Sequence, residues 1–430
     1  MTSIKLRDGD VTLFHRPDSK NWQVEIRLPA GGRHTASLRT ANEKIAKDRA
    51  IEMFEDIYAR HRYGLTAKVV KFSEAADAWI KELRAEVRAG SRNERTVLDY
   101  EPVVERYLKP YFGDKPIDSI KASDIAQYRS WRRDYWVTGP GSKELEYDYL
   151  RNGKSIKRKM AHKVKAPSPQ TINGENVPLR GILKFACSRE WIKPGSIPEV
   201  ANVKLTKRET RERAYPHFQR HEYVQLRHFM TRWVKDDSIG QRELWRREAI
   251  QDYLLIMFNS GLREHELFKR DEKTKVMRGL RWKDVEFFTS KAGSELVELY
   301  VEGKTGSRYM VPLRAVRFVL ERRKLRCPDA GPEDYVMALP DGTLFNTFDS
   351  GVGGVLTLAG LRKDPKSGRN RGIYSCRHSY ATRQVQDDVN AQELSENMGT
   401  SVAMLNRSYF HFNAREAADR LSGSKAKDRR

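Results

Sequence analysis

Hydrophobic positions recur along this chain with two different periods, and each change of period marks a new element. Trp22, Val24, Ile26 and Leu28 alternate with Gln23, Glu25 and Arg27, the pattern of a half-buried strand. Val11 to Phe14 and His34 to Leu38 supply partner strands, with Gly31-Gly32 turning between the last two. Beyond Thr40 the period lengthens. Ala46, Ala50, Met53, Phe54 and Ile57 form a helical stripe, with Thr40 as the cap and Glu43 as its box partner. Residues 1–65 are therefore expected to fold as three strands on one helix.

Residues 66–205 read as helical. Phe72, Ala76, Trp79, Ile80 and Leu83 make one stripe; Tyr100, Val103, Val104, Tyr107, Leu108 and Tyr111 make another, ended by Phe112-Gly113. Ile120, Ile125 and Tyr128 accompany a helix capped at Ser123. Ser168-Pro169 opens a further helix through Leu179, Leu183, Phe185 and Ala186, ending near Trp191-Ile192. Between them lies an insertion, 138–167. Within it residues 151–165 carry seven basic side chains and few apolar ones: Arg151, Lys154, Lys157, Arg158, Lys159, Lys163 and Lys165. Such a run is either a solvated loop or a contact for a phosphate backbone.

After a basic linker at Lys204 to Arg213, residues 206–430 mix both periods. A helix over 243–258 (Leu244, Ile250, Leu254, Met257) closes at Gly261, followed by Leu262-Arg263-Glu264-His265-Glu266-Leu267. The charged stretch Lys269 to Lys275 reads as an exposed loop. Leu296 to Val301 alternates as a strand, Gly303 to Ser307 turns, and Tyr309 to Leu313 returns, which puts Lys304 at a hairpin tip. Arg377 and His378 open a helix continued by Ala381 and Val385. Asn390 with Glu393 caps the next, and Gly399 ends it. A short helix after Ser401 carries Val402, Leu405 and Tyr409 on one face, where a tyrosine is ordinarily core.

Length and charge narrow the partners. A chain of 430 residues holds two or three domains. Lys and Arg exceed Asp and Glu by 81 − 58 = 23, which points to a polyanion. Membrane surfaces and nucleic acids both qualify, but no apolar run approaches membrane length and no signal peptide opens the chain. A soluble cytoplasmic protein with no membrane partner is the expectation. Cys187, Cys327 and Cys376 are too scattered for a disulfide framework or a zinc site. His217 and His221 have metal-like spacing without a third ligand, so surface or capping roles are expected and no metal is assigned.

Taken in order, Arg263 with Glu266 three residues on, Lys304 seven residues before Val311-Pro312-Leu313, the pair Arg377-His378, and Tyr409 nine residues after Thr400 resemble the catalytic domain of tyrosine recombinases, the phage-integrase family. The resemblance implies an α+β multidomain fold. A three-stranded sheet plus helix (1–65) would bind arm-type DNA sites. A helical, SAM-like core-binding domain would span 66–205, with the basic insertion 138–167. A mainly helical catalytic domain with a small sheet would span 206–430.

The activity implied is site-specific recombination that integrates or excises a mobile element or prophage, without cofactor or metal. Tyr409 would attack DNA phosphorus to give a 3′-phosphotyrosine. Arg263 and Arg377 would clamp the non-bridging oxygens, Lys304 would protonate the leaving 5′-oxygen, and Glu266 would support the clamp. Tyr374 stands where the family has histidine three residues before the second arginine, and Thr400 where it has histidine or tryptophan. Both can donate a hydrogen bond, but neither is a ready base, so the general base is unassigned, with His378 a candidate.

Implied partners are double-stranded DNA, a homo-tetramer on two duplexes, and accessory DNA-bending and directionality proteins. A helix carrying Ala414, Ala417, Ala418 and Leu421 would dock on a neighbouring protomer. The rival readings are a DNA-binding protein with a decayed site and a type IB topoisomerase-like nickase.

Overall fold

The computed structural model describes residues 3–29, 31–143, 146–151, 154–159, 166–204, 216–271, 273–303 and 306–408. It divides into two compact units, residues 1–205 and 206–430.

In the first unit, strands β1 (Ile4–Leu6), β2 (Val11–His15), β3 (Trp22–Arg27) and β4 (Arg33–Ser37) form an antiparallel sheet in that order. The N-terminal Ile4–Leu6 thus adds a fourth strand to the three the alternation predicts. Its inward side chains, Val11, Leu13, Trp22, Val24 and Ile26, pack with Ala46, Ala50 and Ile57 of α1 (Glu43–Arg62). The cap of α1 is Asn42, not Thr40. The Asn42 carboxamide accepts from the Ile45 N–H, while the Thr40 hydroxyl accepts from the Asn42 N–H.

The helical part of this unit comprises α2 (Phe72–Arg88), α3 (Glu94–Val103), α4 (Lys109–Phe112), α5 (Ala122–Asp134) and α6 (Pro169–Ser188). A π turn, Val104–Leu108, joins α3 to α4 just after Pro102. Phe72, Trp79, Leu108, Phe112, Tyr128 and Leu183 meet in one core. Inside it Arg132 pairs with both carboxylate oxygens of Glu175 at 2.9 and 2.7 Å. The cap of α5 differs from the Ser123 expectation: the Asp124 carboxylate accepts from the Lys121 N–H at 2.8 Å, so the helix begins at Ala122. Helix α6 stops at Ser188, short of Trp191-Ile192. The basic insertion contains an antiparallel hairpin, β5 (Glu146–Arg151) and β6 (Lys154–Lys159), where a loop is one of the two sequence readings. Lys163, Lys165 and most of the linker Lys204 to Arg213 lie outside the described residues.

The second unit is built around α8 (Gln241–Ser260), buried almost all round over its last eleven residues. It packs against α7 (Arg220–Trp233) through Tyr223, and against α10 (Ala315–Arg326) and α12 (Ile373–Gln386). Asp252 of α8, wholly buried, pairs with Arg322, Arg323 and Arg326 of α10, so a single carboxylate fastens the two helices. A three-stranded antiparallel sheet, ordered β11 (Gly306–Met310), β10 (Glu295–Gly303), β9 (Val285–Thr289), covers one side. Helices α11 (Asp349–Leu358), α13 (Ala391–Met398) and α14 (Val402–Ser408) are the remaining helices among the described residues of this unit, with α9 (Glu264–Leu267) a single turn.

Gly261 ends α8 with φ 66°, and a Cβ there would sit 2.4 Å from the Tyr380 ring; only glycine fits both demands. Of the charged stretch Lys269 to Lys275, Lys269 and Arg270 lie in a strand, β7 (Phe268–Arg270), paired with β8 (Met277–Gly279), and the rest of the stretch connects the two strands. Phe268 is buried and anchors the hairpin. The Asp271 carboxylate accepts from the Lys273 and Thr274 N–H groups, both at 2.9 Å, which closes the turn.

Candidate active site

Arg263 is the N-cap of α9, and Glu266 is the third residue of that turn. The Glu266 carboxylate accepts from the Arg263 N–H at 2.8 Å and from Arg263 Nη1 at 2.9 Å. Its side chain has no solvent contact. Burial pushes the Glu266 carboxyl upward, but the Arg308 guanidinium, the Arg263 N–H and the Arg263 charge outweigh it and hold the group below the ordinary carboxylate range. An ionised, buried carboxylate therefore fixes Arg263 from one side.

Arg377 and His378 lie in the second turn of α12 and do not open it. The helix starts at Ile373, where the Ser375 hydroxyl accepts from the Gly372 N–H at 3.2 Å and so caps the first turn. Arg377 is buried and donates to the Gly261 carbonyl, two residues before Arg263, and to the Met398 carbonyl at 3.0 Å. Arg263 donates to the Gly399 carbonyl. A third arginine, Arg308 of β11, donates through Nε to the Asn397 carbonyl at 2.9 Å and through its two Nη atoms to Glu266 at 2.9 and 3.1 Å.

Three successive carbonyls, Asn397, Met398 and Gly399, thus hold three arginines from three different parts of the unit. They belong to the C-terminal end of α13, where a helix has carbonyls without intrahelical donors and the negative end of its dipole. The helix is set by Asn390, whose side chain accepts from the Gln392 and Glu393 N–H groups, and is stopped by Gly399 at φ 61°. Asn397 adds a second tie: its side chain accepts from the Val311 N–H at 2.8 Å and donates to the Val311 carbonyl at 3.1 Å.

The remaining candidates divide. Tyr374, in the first turn of α12, is 43% exposed and presents its ring to His378 with centroids 4.9 Å apart. Burial, Arg377 and His217 push the His378 imidazole down to about 4, so it is neutral at pH 7. Thr400 follows Gly399, its N–H donating to the Ser395 carbonyl at 2.9 Å. Lys304 and Tyr409 lie outside the described residues. The β10–β11 ladder runs up to the Gly303–Gly306 pair on either side of Lys304, and α14 is described up to Ser408, the residue before Tyr409. The stretch with Ala414 to Leu421 also lies outside them.

His217 precedes α7 instead of sharing its face with His221, because Gln219 is the N-cap; among the described residues no three potential metal ligands converge. Also among the described residues, no helix is long and apolar enough to cross a membrane. Sequence reasoning missed Arg308 and Asn397. The signal for Arg308 was available: it shares strand parity with buried Met310, so it is a charge on the inward side of β11.

Residues 71–130 match the family model of the phage integrase N-terminal SAM-like domain. No curated protein matches the chain in sequence. Among solved structures it is similar to the XerH site-specific recombinase bound to difH substrate (14% identity, 89% of each chain, TM-score 0.48). It is also similar to a lambda integrase dimer bound to a COC′ core site (14% identity, 97% of each chain, TM-score 0.48). A third similar structure is the Tn1549 transposon integrase with transposon right end DNA (16% identity, 82% of this chain and 99% of that one, TM-score 0.47).

Proposed function

We propose that this chain, which carries a phage integrase SAM-like segment at residues 71–130, is a site-specific DNA recombinase that cuts and rejoins strands through Tyr409. The observation that carries the reading is the meeting of Arg263 and Arg377, remote in sequence, on the adjacent carbonyls Gly399 and Met398. The same chain end leads through α14 towards Tyr409.

Each guanidinium spends some donors on the backbone, which fixes its plane, and phosphate oxygens would take the others. The Tyr409 oxygen would form a bond to phosphorus while the bond from phosphorus to the 5′-oxygen breaks. Lys304 would supply the proton that the 5′-oxygen takes up. The phosphodiester energy stays in the 3′-phosphotyrosine, so a 5′-hydroxyl from another strand reverses the step. His378, held near pKa 4, is a weak base for the Tyr409 proton; its burial against Tyr374 suits a supporting role.

Residues 206–430 would be the catalytic domain, 66–205 the core-binding domain and 1–65 an arm-binding module. The excess of 23 positive charges favours double-stranded DNA as the partner. Exchange between two duplexes needs four cut strands, hence four protomers, with accessory bending and directionality proteins as further partners. The test is a nicked suicide duplex and a denaturing gel. Wild-type protein should leave a covalent protein–DNA band, and Tyr409→Phe should bind the duplex and leave none. Binding without a band from the wild type would favour a DNA-binding protein with a decayed site.

A further inference from the structure

The basic strand residue Arg308 belongs to neither member of the arginine pair, yet it is more heavily tied than Arg263. Its side chain is 13% exposed, and it spans two objects: the Glu266 carboxylate, through two parallel Nη–H donors, and the Asn397 carbonyl, through Nε. A planar fork that meets a carboxylate with two nitrogens while a third binds elsewhere has one orientation open to it. The strand that carries it is pinned a second time three residues on, where the Asn397 side chain exchanges two hydrogen bonds with Val311.

The other strand of the same hairpin abuts this cluster. A Cβ on Gly303 would lie 2.6 Å from Glu266 Oε1 and 3.5 Å from Arg308 Nη1, so the backbone immediately before Lys304 rests directly on the ion pair. In the ladder Arg308 faces Val301, and Gly303 faces Gly306, so both arms of the turn start from positions fixed by the Glu266–Arg308 contact.

We propose that Arg308 is a positioning residue for the leaving-group proton: by locking the β10–β11 hairpin to Glu266 and to the end of α13, it sets where the Lys304 ammonium stands relative to the 5′-oxygen. The inference rests on the strand-cleavage reading above. A proton donor works only within hydrogen-bond reach of the atom it protonates, so a hairpin loosened by an ångström loses the transfer while the arginine clamp still binds phosphate. Arg308 need not touch DNA for this.

The chemistry supplies a discriminating substrate. Replacing the bridging 5′-oxygen at the cut site by sulfur gives a leaving thiolate, whose conjugate acid has a pKa of about 8.5, so expulsion needs no proton from the protein. Single-turnover cleavage of the ordinary and the 5′-phosphorothiolate duplexes is measured for wild type, Arg308→Met and Arg308→Lys. Lysine keeps a cation beside Glu266 and guards against a variant that fails to fold, but it cannot fork.

Arg308→Met should cleave the ordinary duplex about 10²–10³-fold more slowly and the sulfur duplex within about threefold of wild type. Arg308→Lys should show the same split with a smaller loss. Equal losses on both substrates would mean that Arg308 serves the clamp or the fold, and no loss on either would mean that it positions nothing; each result overturns the proposal. A wild-type protein that opens neither duplex overturns the cleavage reading itself, and this inference falls with it.

Discussion

Replacing Glu266 by glutamine keeps the shape of the side chain and removes its charge. In the native fold this carboxylate, without solvent contact, accepts from the Arg263 N–H, from Arg263 Nη1 and from two nitrogens of Arg308. A carboxamide must turn one N–H donor towards a guanidinium, and it leaves Arg308 buried without a counter-charge. Breaking one side of a buried pair costs about 3–5 kcal/mol. At about 3 kcal/mol, a unit of this size loses roughly 6–12 °C in Tm.

The assay is calorimetry of the full chain, with hydrogen exchange over residues 263–267 and 397–399 to locate the loss. The pH dependence supplies a second axis. Glu266 has a folded pKa below its ordinary 4.5, so its contribution is fully present above that value and is lost as pH falls through the lower, folded one. The gap between wild type and Glu266→Gln should therefore be full at pH 6 and narrow as the pH drops below 4.5. A Tm difference under about 2 °C at pH 6, or a gap that does not change with pH, would refute the view that an ionised carboxylate holds the two arginines.

Three further outcomes are expected. His378 is neutral when folded down to about 4, whereas the unfolded imidazole protonates near 6.5; wild-type stability should rise between those values by roughly 3 kcal/mol, and a His378→Asn variant in denaturant titrations should lack that rise. Gly261→Ala must place a Cβ 2.4 Å from the Tyr380 ring at φ 66°, so in denaturant titrations it should lose more than the roughly 1–2 kcal/mol of a left-handed residue alone, whereas Gly195→Ala, with open space around it, should cost about that much. Neutralising Lys154, Lys157, Arg158 and Lys159 together should flatten the log–log salt dependence of duplex affinity by about 0.9 for each phosphate that the native hairpin neutralises, leaving site choice alone; an unchanged slope would show that the hairpin does not lie on the backbone.

The apolar periods were enough to read α2 and the β2–β4 sheet, because each buries one face or stripe whose spacing survives any change in its partners, while α8 was legible from its apolar content and its closing Gly261, since it is buried almost all round. Arg263 and Glu266 were legible as a pair through the family resemblance, which sets an acid three residues after the first arginine. The hairpins at 146–159 and 268–279 were not. They are short and mostly polar, and what makes the second a hairpin is Phe268 below and the Asp271 turn above, neither a periodic signal. Caps slipped by two residues: Thr40 and Asn42 are interchangeable in type, so geometry alone decides between them, and α5 is capped at Lys121, where the Asp124 side chain accepts from the Lys121 N–H and no side-chain type at the cap itself announces it. The holding point of the three arginines consists of main-chain oxygens, and side-chain identity carries almost no record of those beyond Gly399.

An array made of consecutive backbone atoms has a fixed pitch. Adding or deleting one residue between Asn390 and Gly399 would turn the terminal oxygens by about 100° and move them about 1.5 Å along the axis, so each arginine would face its neighbour's acceptor or none. Point changes at exposed Gln392 or Glu396 alter nothing in that spacing. Divergent copies of this protein should therefore keep the length of this helix unchanged while their insertions and deletions collect in the 146–159 and 268–279 hairpins, where no such ruler operates.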